Sequence, residues 1–253
     1  MSAPPHAAVP EPALMSLGDH LDELRLRLLL ALGGFGVALI LALRAGKWFA
    51  GVILSPYSVA MASAGIEARL QAIQPAEPFL VYIKAAMVLA VLISSPWVFY
   101  QFWAFVSAGL LPNEKRLLRR LAPVSAGLFA GGVLFFLRVV GPLIFRFFMQ
   151  FDLGIDFLTY QPGVGRTLDF ILLLALVFGV GFEMPMAIVM AERTGLIAIQ
   201  TLQRARKGVF LGIVVLAAMA TPPDVISQLA LGLPLYALYE GGMLVCRLWP
   251  RPI

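Results

Sequence analysis

The chain has 253 residues, of which 60% are hydrophobic and only 13% charged, against about 25% charged in an ordinary soluble domain. That composition excludes a soluble globular enzyme and leaves room for five to seven spanning helices in one membrane domain. The net charge of +5 matters through its distribution, and the lone Cys246 excludes both an intramolecular disulfide and a CxxC redox or zinc motif.

In chain order, residues 1–15 read as a flexible, proline-rich tail whose first twelve residues carry no Lys or Arg. Ser16 supplies a helix cap with Asp19 as its short capping-box partner. The run LGDHLDELRLRLL then sets Asp19, Glu23 and Arg27 four residues apart on one face, with Leu17, Leu21, Leu24 and Leu28 as an apolar stripe. This pattern predicts an amphipathic entry helix that lies at the interface and turns into the membrane, followed by a first span over 26–43. Residues 44–78, with Pro56, Pro75 and Pro78, are expected to connect to a second span at 79–106. Lys84 stands one turn inside that span and can snorkel to its end, and Pro96 bends it.

A charged loop, LLPNEKRLLRR, leads to a third span from Leu121. Arg138 ends its apolar run after 17 residues, about 25 Å of helix, and marks the far interface, with the helix continuing past Pro142. After a loop at 151–167, span four covers 168–191. Its core, ILLLALVFGVGFEMPMAIVM, is apolar except for Glu183, which lies about 10 Å inside the stretch. A carboxyl there must be protonated, paired or turned to a polar cavity. It serves either as a packing hydrogen bond to a neighbouring helix or as a functional group. Gly179 on the same face admits a close neighbour, and Pro185 kinks the helix just past the carboxylate. Two short apolar segments follow, 208–220 and 225–245, joined at TPPD (Thr221 to Asp224). Thirteen residues of helix rise only about 20 Å, so the pair thins the bilayer slightly or packs as a buried hairpin.

Six spans place both termini on one side. That side holds 12 of the 19 Lys and Arg, in short segments, and is therefore the inner one. The same placement at helix ends explains the basic residues without a nucleic-acid surface. His6 and His20 are the only histidines, both near the N-terminus. A membrane-embedded Ser-His dyad, an HExxH zinc site and a Walker loop are all absent, so no enzyme chemistry and no cofactor is indicated. Two carboxylates stand on the inner side among basic residues: Glu23 near Arg25 and Arg27, and Glu114 near Lys115 and Arg116. They are either locally paired, as Glu23 and Arg27 are at i,i+4, or an anionic patch that receives guanidinium groups.

HLDELRLRL, SPWVFYQFWAFVSAGLLPNEKR, FGVGFEMPMAIV and TPPDVISQ, in that order, resemble the TatC family, the multispanning receptor subunits of twin-arginine protein translocases. The resemblance runs from about Leu17 to Trp249. It implies an all-α integral membrane domain at 16–249, six helices in a concave cup with the last two short, both termini cytoplasmic and a short tail at 250–253. It also implies a location in the bacterial inner membrane, recognition of paired-arginine signal peptides on folded cargo, and proton-motive-force-driven export with single-span TatA/TatB-type partners in a complex holding several copies of this chain. The family's signal-recognising glutamates fall on Glu23 and Glu114, with Arg25, Arg27 and Phe105 at supporting positions. Glu183 falls on the family's buried glutamate and is implied to contact the partner helix or inserted signal. Thr221, Asp224 and Gln228 match polar positions where partners dock, and Pro56 matches a proline of the first outer loop. A proton-coupled small-molecule transporter carrying protons on Glu183 is the alternative, although no inverted repeat supports it.

Overall fold

The computed structural model describes the backbone of residues 17–108, 112–150 and 161–248, and side chains over the same ranges except at 17 and 107–120. The expected tails at 1–15 and 250–253 and most of the loop at 151–167 lie outside the described residues. Among those described, the chain is helical apart from short connections and one isolated bridge.

Helix α1 spans Leu17–Ile53 without interruption, about 55 Å at helical rise. The amphipathic run and the first span, expected as an entry helix turning into a span, belong to one unbroken helix. The helix also extends ten residues beyond the predicted end of the span. Beyond residue 43, Arg44 and Lys47 lie on the exposed side of the helix, while Ala42, Phe49 and Ile53 are buried on the other. Helix α2 (Ser55–Ser63) begins with Pro56 in its first turn, where a missing N–H costs nothing. The stretch predicted as one outer connection, 44–78, is therefore largely helical, with an irregular connection only at 64–76.

Helix α3 (Glu77–Ala108) returns antiparallel to α1. Tyr82 Oη donates to the Leu43 carbonyl at 2.6 Å and Trp97 Nε1 to that of Leu30 at 2.9 Å. Helix α4 (Pro112–Phe135) runs back along α3 and passes through a π-turn, Phe136–Val140, into α5 (Gly141–Met149). Arg138 lies exposed in that π-turn, and the helix continues past Pro142 as expected. Tyr57 meets Phe145 edge-on with ring centroids 5.8 Å apart, which docks α2 on α5.

Helix α6 (Val164–Gly181) packs on α4 through two glycines. A Cβ on Gly132 would stand 2.4 Å from the Phe178 carbonyl oxygen, and one on Gly179 would stand 2.7 Å from the Phe129 ring. The close neighbour expected at Gly179 is thus α4 of the same chain. Spans one to four meet in a core that includes Ile53, Tyr57, Phe136, Ile171, Leu174 and Phe178.

The kink sits on Glu183 rather than just past it. Glu183 N–H bonds Val180 O at 3.0 Å, a tightened i→i−3 bond, and α7 (Met184–Arg193) starts afresh with Pro185 in its first turn. The reason is that the proline ring clashes with the carbonyl four residues earlier, so the helix breaks ahead of the proline.

Helices α8 (Ile199–Ala220) and α9 (Val225–Leu248) form the final hairpin and are shorter than the preceding spans. Both are longer than their apolar segments. α8 starts nine residues before Gly208, through Arg204, Arg206 and Lys207, and its apolar part remains the 13 residues up to Ala220. Arg206 Nη2 donates to Glu240 Oε2 at 2.7 Å and Tyr236 Oη to Glu240 Oε1 at 3.0 Å, which closes the hairpin's polar end. Among the described residues, five segments are long and apolar enough to cross a membrane: Gly18–Ser63, Glu77–Val106, Leu121–Met149, Val164–Arg193 and Val225–Leu248. α8 is the sixth apolar helix.

Candidate functional site

The N-terminal end of α1 and the C-terminal part of α3 carry one polar ladder. Glu23 and Arg27 sit a turn apart on α1; Gln101 and Phe105 sit a turn apart on α3. Arg27 Nε donates to Glu23 Oε1 at 2.7 Å and Arg27 Nη1 to Gln101 Oε1 at 3.0 Å. One guanidinium therefore fixes the carboxylate to the neighbouring helix. Gln101 is only 2% exposed, so its amide orients Arg27 from an otherwise apolar interface. His20, one turn before Glu23, stacks on Phe105 with ring centroids 4.6 Å apart and planes 26° from parallel.

His20 and Phe105 both line a groove of about 720 Å³. Its walls are mainly aromatic and aliphatic, including Phe99, Phe102, Trp103 and Phe129, and Glu183 is the carboxylate among its lining residues. That carboxyl is hydrogen-bonded to the Ser125 hydroxyl and the backbone at Phe129. Ser125 in turn accepts from Trp103 Nε1 at 3.0 Å. The chain Trp103–Ser125–Glu183 thus joins α3, α4 and the α6–α7 break. Glu183 Oε1 is buried with no partner among the described residues. A buried acceptor left open in this way favours an incoming donor, because its desolvation has already been incurred.

The predicted residues separate into groups. Glu23 and Arg27 join through the α1–α3 ladder, one turn from His20, which stacks on Phe105; His20, Phe105 and Glu183 line the same groove. Arg25 lies exposed on α1, away from that ladder, and is not joined to it. Position 114 falls in the first turn of α4, but the Glu114 side chain lies outside the described residues. Thr221, Asp224 and Gln228 sit at the α8–α9 turn, where each serves the hairpin itself. Thr221 Oγ1 donates to Ala217 O at 2.9 Å, Asp224 Oδ1 accepts from Ser227 N–H at 2.7 Å, and Gln228 Nε2 donates across to Val214 O at 3.1 Å. Pro56 is buried, and a Cβ on Gly141 would stand 2.8 Å from its Cβ, so it packs α2 on the start of α5.

Four residues escaped the sequence reading of the site: His20, Gln101, Trp103 and Ser125. For His20 and Gln101 the one available signal was spacing. His20 precedes Glu23 by three residues, and Gln101 precedes Phe105 by four, so each shares a face with a predicted site residue.

These features define a multispanning membrane protein with an apolar groove that Glu183 lines and, one turn from the groove residue His20, a Glu23–Arg27–Gln101 ladder. The family model for TatC, described as Sec-independent protein translocase protein, matches residues 19–234. A Sec-independent protein translocase protein TatC of Listeria innocua is 34% identical over 235 residues, covering 91% of each chain. A TatC of Azotobacter chroococcum is 35% identical over 231 residues, covering 90% of this chain and 88% of that one. Among solved structures, a crystal structure of the twin-arginine translocase receptor TatC superposes with a TM-score of 0.76 at 31% identity, covering 90% of this chain and 98% of that one. A second, in the detergent DDM, gives 0.80 at 30% identity and covers 89% and 98%.

The chain belongs to the TatC family and is a multispanning component of a bacterial Sec-independent protein translocase. Its fold is the six-helix TatC fold expected from the motifs. The same matches favour protein translocation over the small-molecule transport considered for Glu183.

Proposed function

We propose that this protein is a non-enzymatic signal-peptide receptor. It captures paired-arginine signal peptides of folded cargo and assembles with single-span TatA/TatB-type partners, as one of several copies, for proton-motive-force-driven export. It sits in the bacterial cytoplasmic membrane with both termini in the cytoplasm, the orientation that the excess of Lys and Arg in its short inner segments favours.

One observation carries this reading: Glu23 is held in place by Arg27 and Gln101 one turn from His20, which lines a groove that also holds the open acceptor of Glu183. A guanidinium arriving at the α1–α3 ladder meets an oriented carboxylate, and planar two-point pairing favours arginine over lysine. Glu114, near the start of α4, supplies the second carboxylate, and Arg25 adds to the charge around the site. The apolar walls suit the hydrophobic part of a signal peptide, and a polar group on that segment or on a partner helix satisfies Glu183. Thr221, Asp224 and Gln228 shape the α8–α9 turn against which a partner docks.

The test is photocrosslinking from position 113 to a signal peptide carrying Arg-Arg or Lys-Lys, combined with affinity measurements on Glu23→Gln and Glu114→Gln. The expected result is a crosslink with Arg-Arg that is lost with Lys-Lys, and weaker capture by each variant. Unchanged affinity in the double variant would remove both carboxylates from the site.

A further inference from the structure

α3 and α6 start at the same end of the bundle and run parallel. Their starts are stitched together where Gln71 N–H bonds Pro162 O at 3.1 Å and Val164 N–H bonds Gln71 O at 2.9 Å. Two turns into α3, Lys84 Nζ donates to Asp169 Oδ1 of α6 at 2.5 Å. The pair is open to its surroundings, with the side chains 35% and 56% exposed. One helical turn further along both helices lie Met87 and Val88 of α3 and Leu172 and Leu173 of α6. These are walls of a second, wholly apolar cleft of about 360 Å³, backed by Phe35 and Phe129.

The order of chemistry along this cleft, two opposite charges and then an apolar slot, is that of a phospholipid read from headgroup to acyl chain. Lys84 uses one of its three N–H donors and Asp169 one of its two oxygens in their mutual contact. Each therefore keeps capacity for one group of opposite sign. A zwitterionic headgroup completes an alternating square: its phosphate accepts from Lys84 and its ammonium donates to Asp169. An anionic headgroup without an ammonium leaves Asp169 facing a like charge, and a quaternary ammonium offers the carboxylate no N–H.

We propose that this cleft is a binding site for one phospholipid with a zwitterionic, primary-ammonium headgroup. The lipid comes from the leaflet at the end of the bundle that carries the 64–76 connection. One acyl chain fills the cleft between α3 and α6, and the headgroup rests on the Lys84–Asp169 pair. The charge pair favours a lipid over a protein helix, because a spanning helix would lay apolar side chains against two charged groups.

The experiment is native mass spectrometry of the purified full-length protein, exchanged in turn against phosphatidylethanolamine, phosphatidylcholine and phosphatidylglycerol. Retention of the ethanolamine lipid is expected to exceed that of the other two by about tenfold, roughly one charge-assisted hydrogen bond. Asp169→Asn keeps the shape of the side chain while removing its charge, and should move the preference toward phosphatidylglycerol. A photoactivatable acyl chain on the ethanolamine lipid should label Leu173. Equal retention of all three lipids, an unchanged preference in Asp169→Asn, or labelling of Leu173 by a protein helix instead would overturn the proposal.

Discussion

Gly132 faces the Phe178 carbonyl so closely that a Cβ would stand 2.4 Å from the oxygen, with backbone rather than a movable side chain as the obstacle. Helices α4 and α6 can therefore touch only because position 132 carries no side chain. Ordinarily Gly→Ala inside a helix stabilises by about 1 kcal/mol. Here Gly132→Ala should instead destabilise, by about 1–3 kcal/mol for an overpacked contact. Gly127, one turn and a half away with open space around its Cβ position, is the control, and Gly127→Ala should be neutral or slightly stabilising. Thermal unfolding in detergent, followed by circular dichroism, distinguishes the two. An equal response at both positions would refute the close-approach argument.

Asp224 caps α9 by accepting from Ser227 N–H at the third helical position. Asp224→Ala removes that acceptor and should cost about 1 kcal/mol, the usual value of a helix N-cap. Asp224→Asn keeps a competent cap and should lose little. If the residue acts only through the hairpin, both variants should affect partner binding in proportion to stability. A binding defect in Asp224→Asn with unchanged melting temperature would assign it a direct contact with the partner.

The order of spans was readable because long apolar runs interrupted by charge and proline carry the signal directly. The errors arose where one helix face was charged and the other buried. The first span was expected to end at residue 43, but the exposed side that carries Arg44 and Lys47 lets α1 continue while Phe49 and Ile53 pack inward. The site was half legible. Glu23 and Glu183 were marked by the family motifs, as was Glu114, whose side chain lies outside the described residues. Gln101 and Ser125 do not stand out, since a single amide or hydroxyl in an apolar run gains meaning only from the helix it meets. Their partners, Arg27 and Trp103, lie 74 and 22 residues away in the chain.

Arg27 bridges two acceptors on two helices, a task that depends on the forked geometry of guanidinium. Arg27→Lys preserves the charge but reaches one acceptor at a time. It should weaken capture of a paired-arginine peptide by about tenfold, roughly 1.4 kcal/mol. Gln101→Leu should produce a similar loss, and the double variant should be no worse than either single one, because both break the same clamp. Isothermal titration with the purified protein gives the cycle. Additive losses would mean that Gln101 does not act through Arg27.

Glu183 receives a hydrogen bond from Ser125, whose hydroxyl is itself held by Trp103. Ser125→Ala leaves both the indole N–H and the carboxyl short of a partner, at about 1–3 kcal/mol for buried unsatisfied groups. The melting temperature should fall, and Trp103 fluorescence should shift to the blue as its hydrogen bond is lost. Glu183→Gln is the informative companion, since an amide oxygen still accepts from Ser125 while carrying no charge. It should retain both the melting temperature and the Trp103 emission of the parent. Peptide capture and export then separate two roles. If Glu183 serves as a neutral acceptor for an inserted helix, Glu183→Gln should support export and Glu183→Leu should not. If the carboxylate must ionise during transport, Glu183→Gln should bind signal peptide normally yet fail to export it.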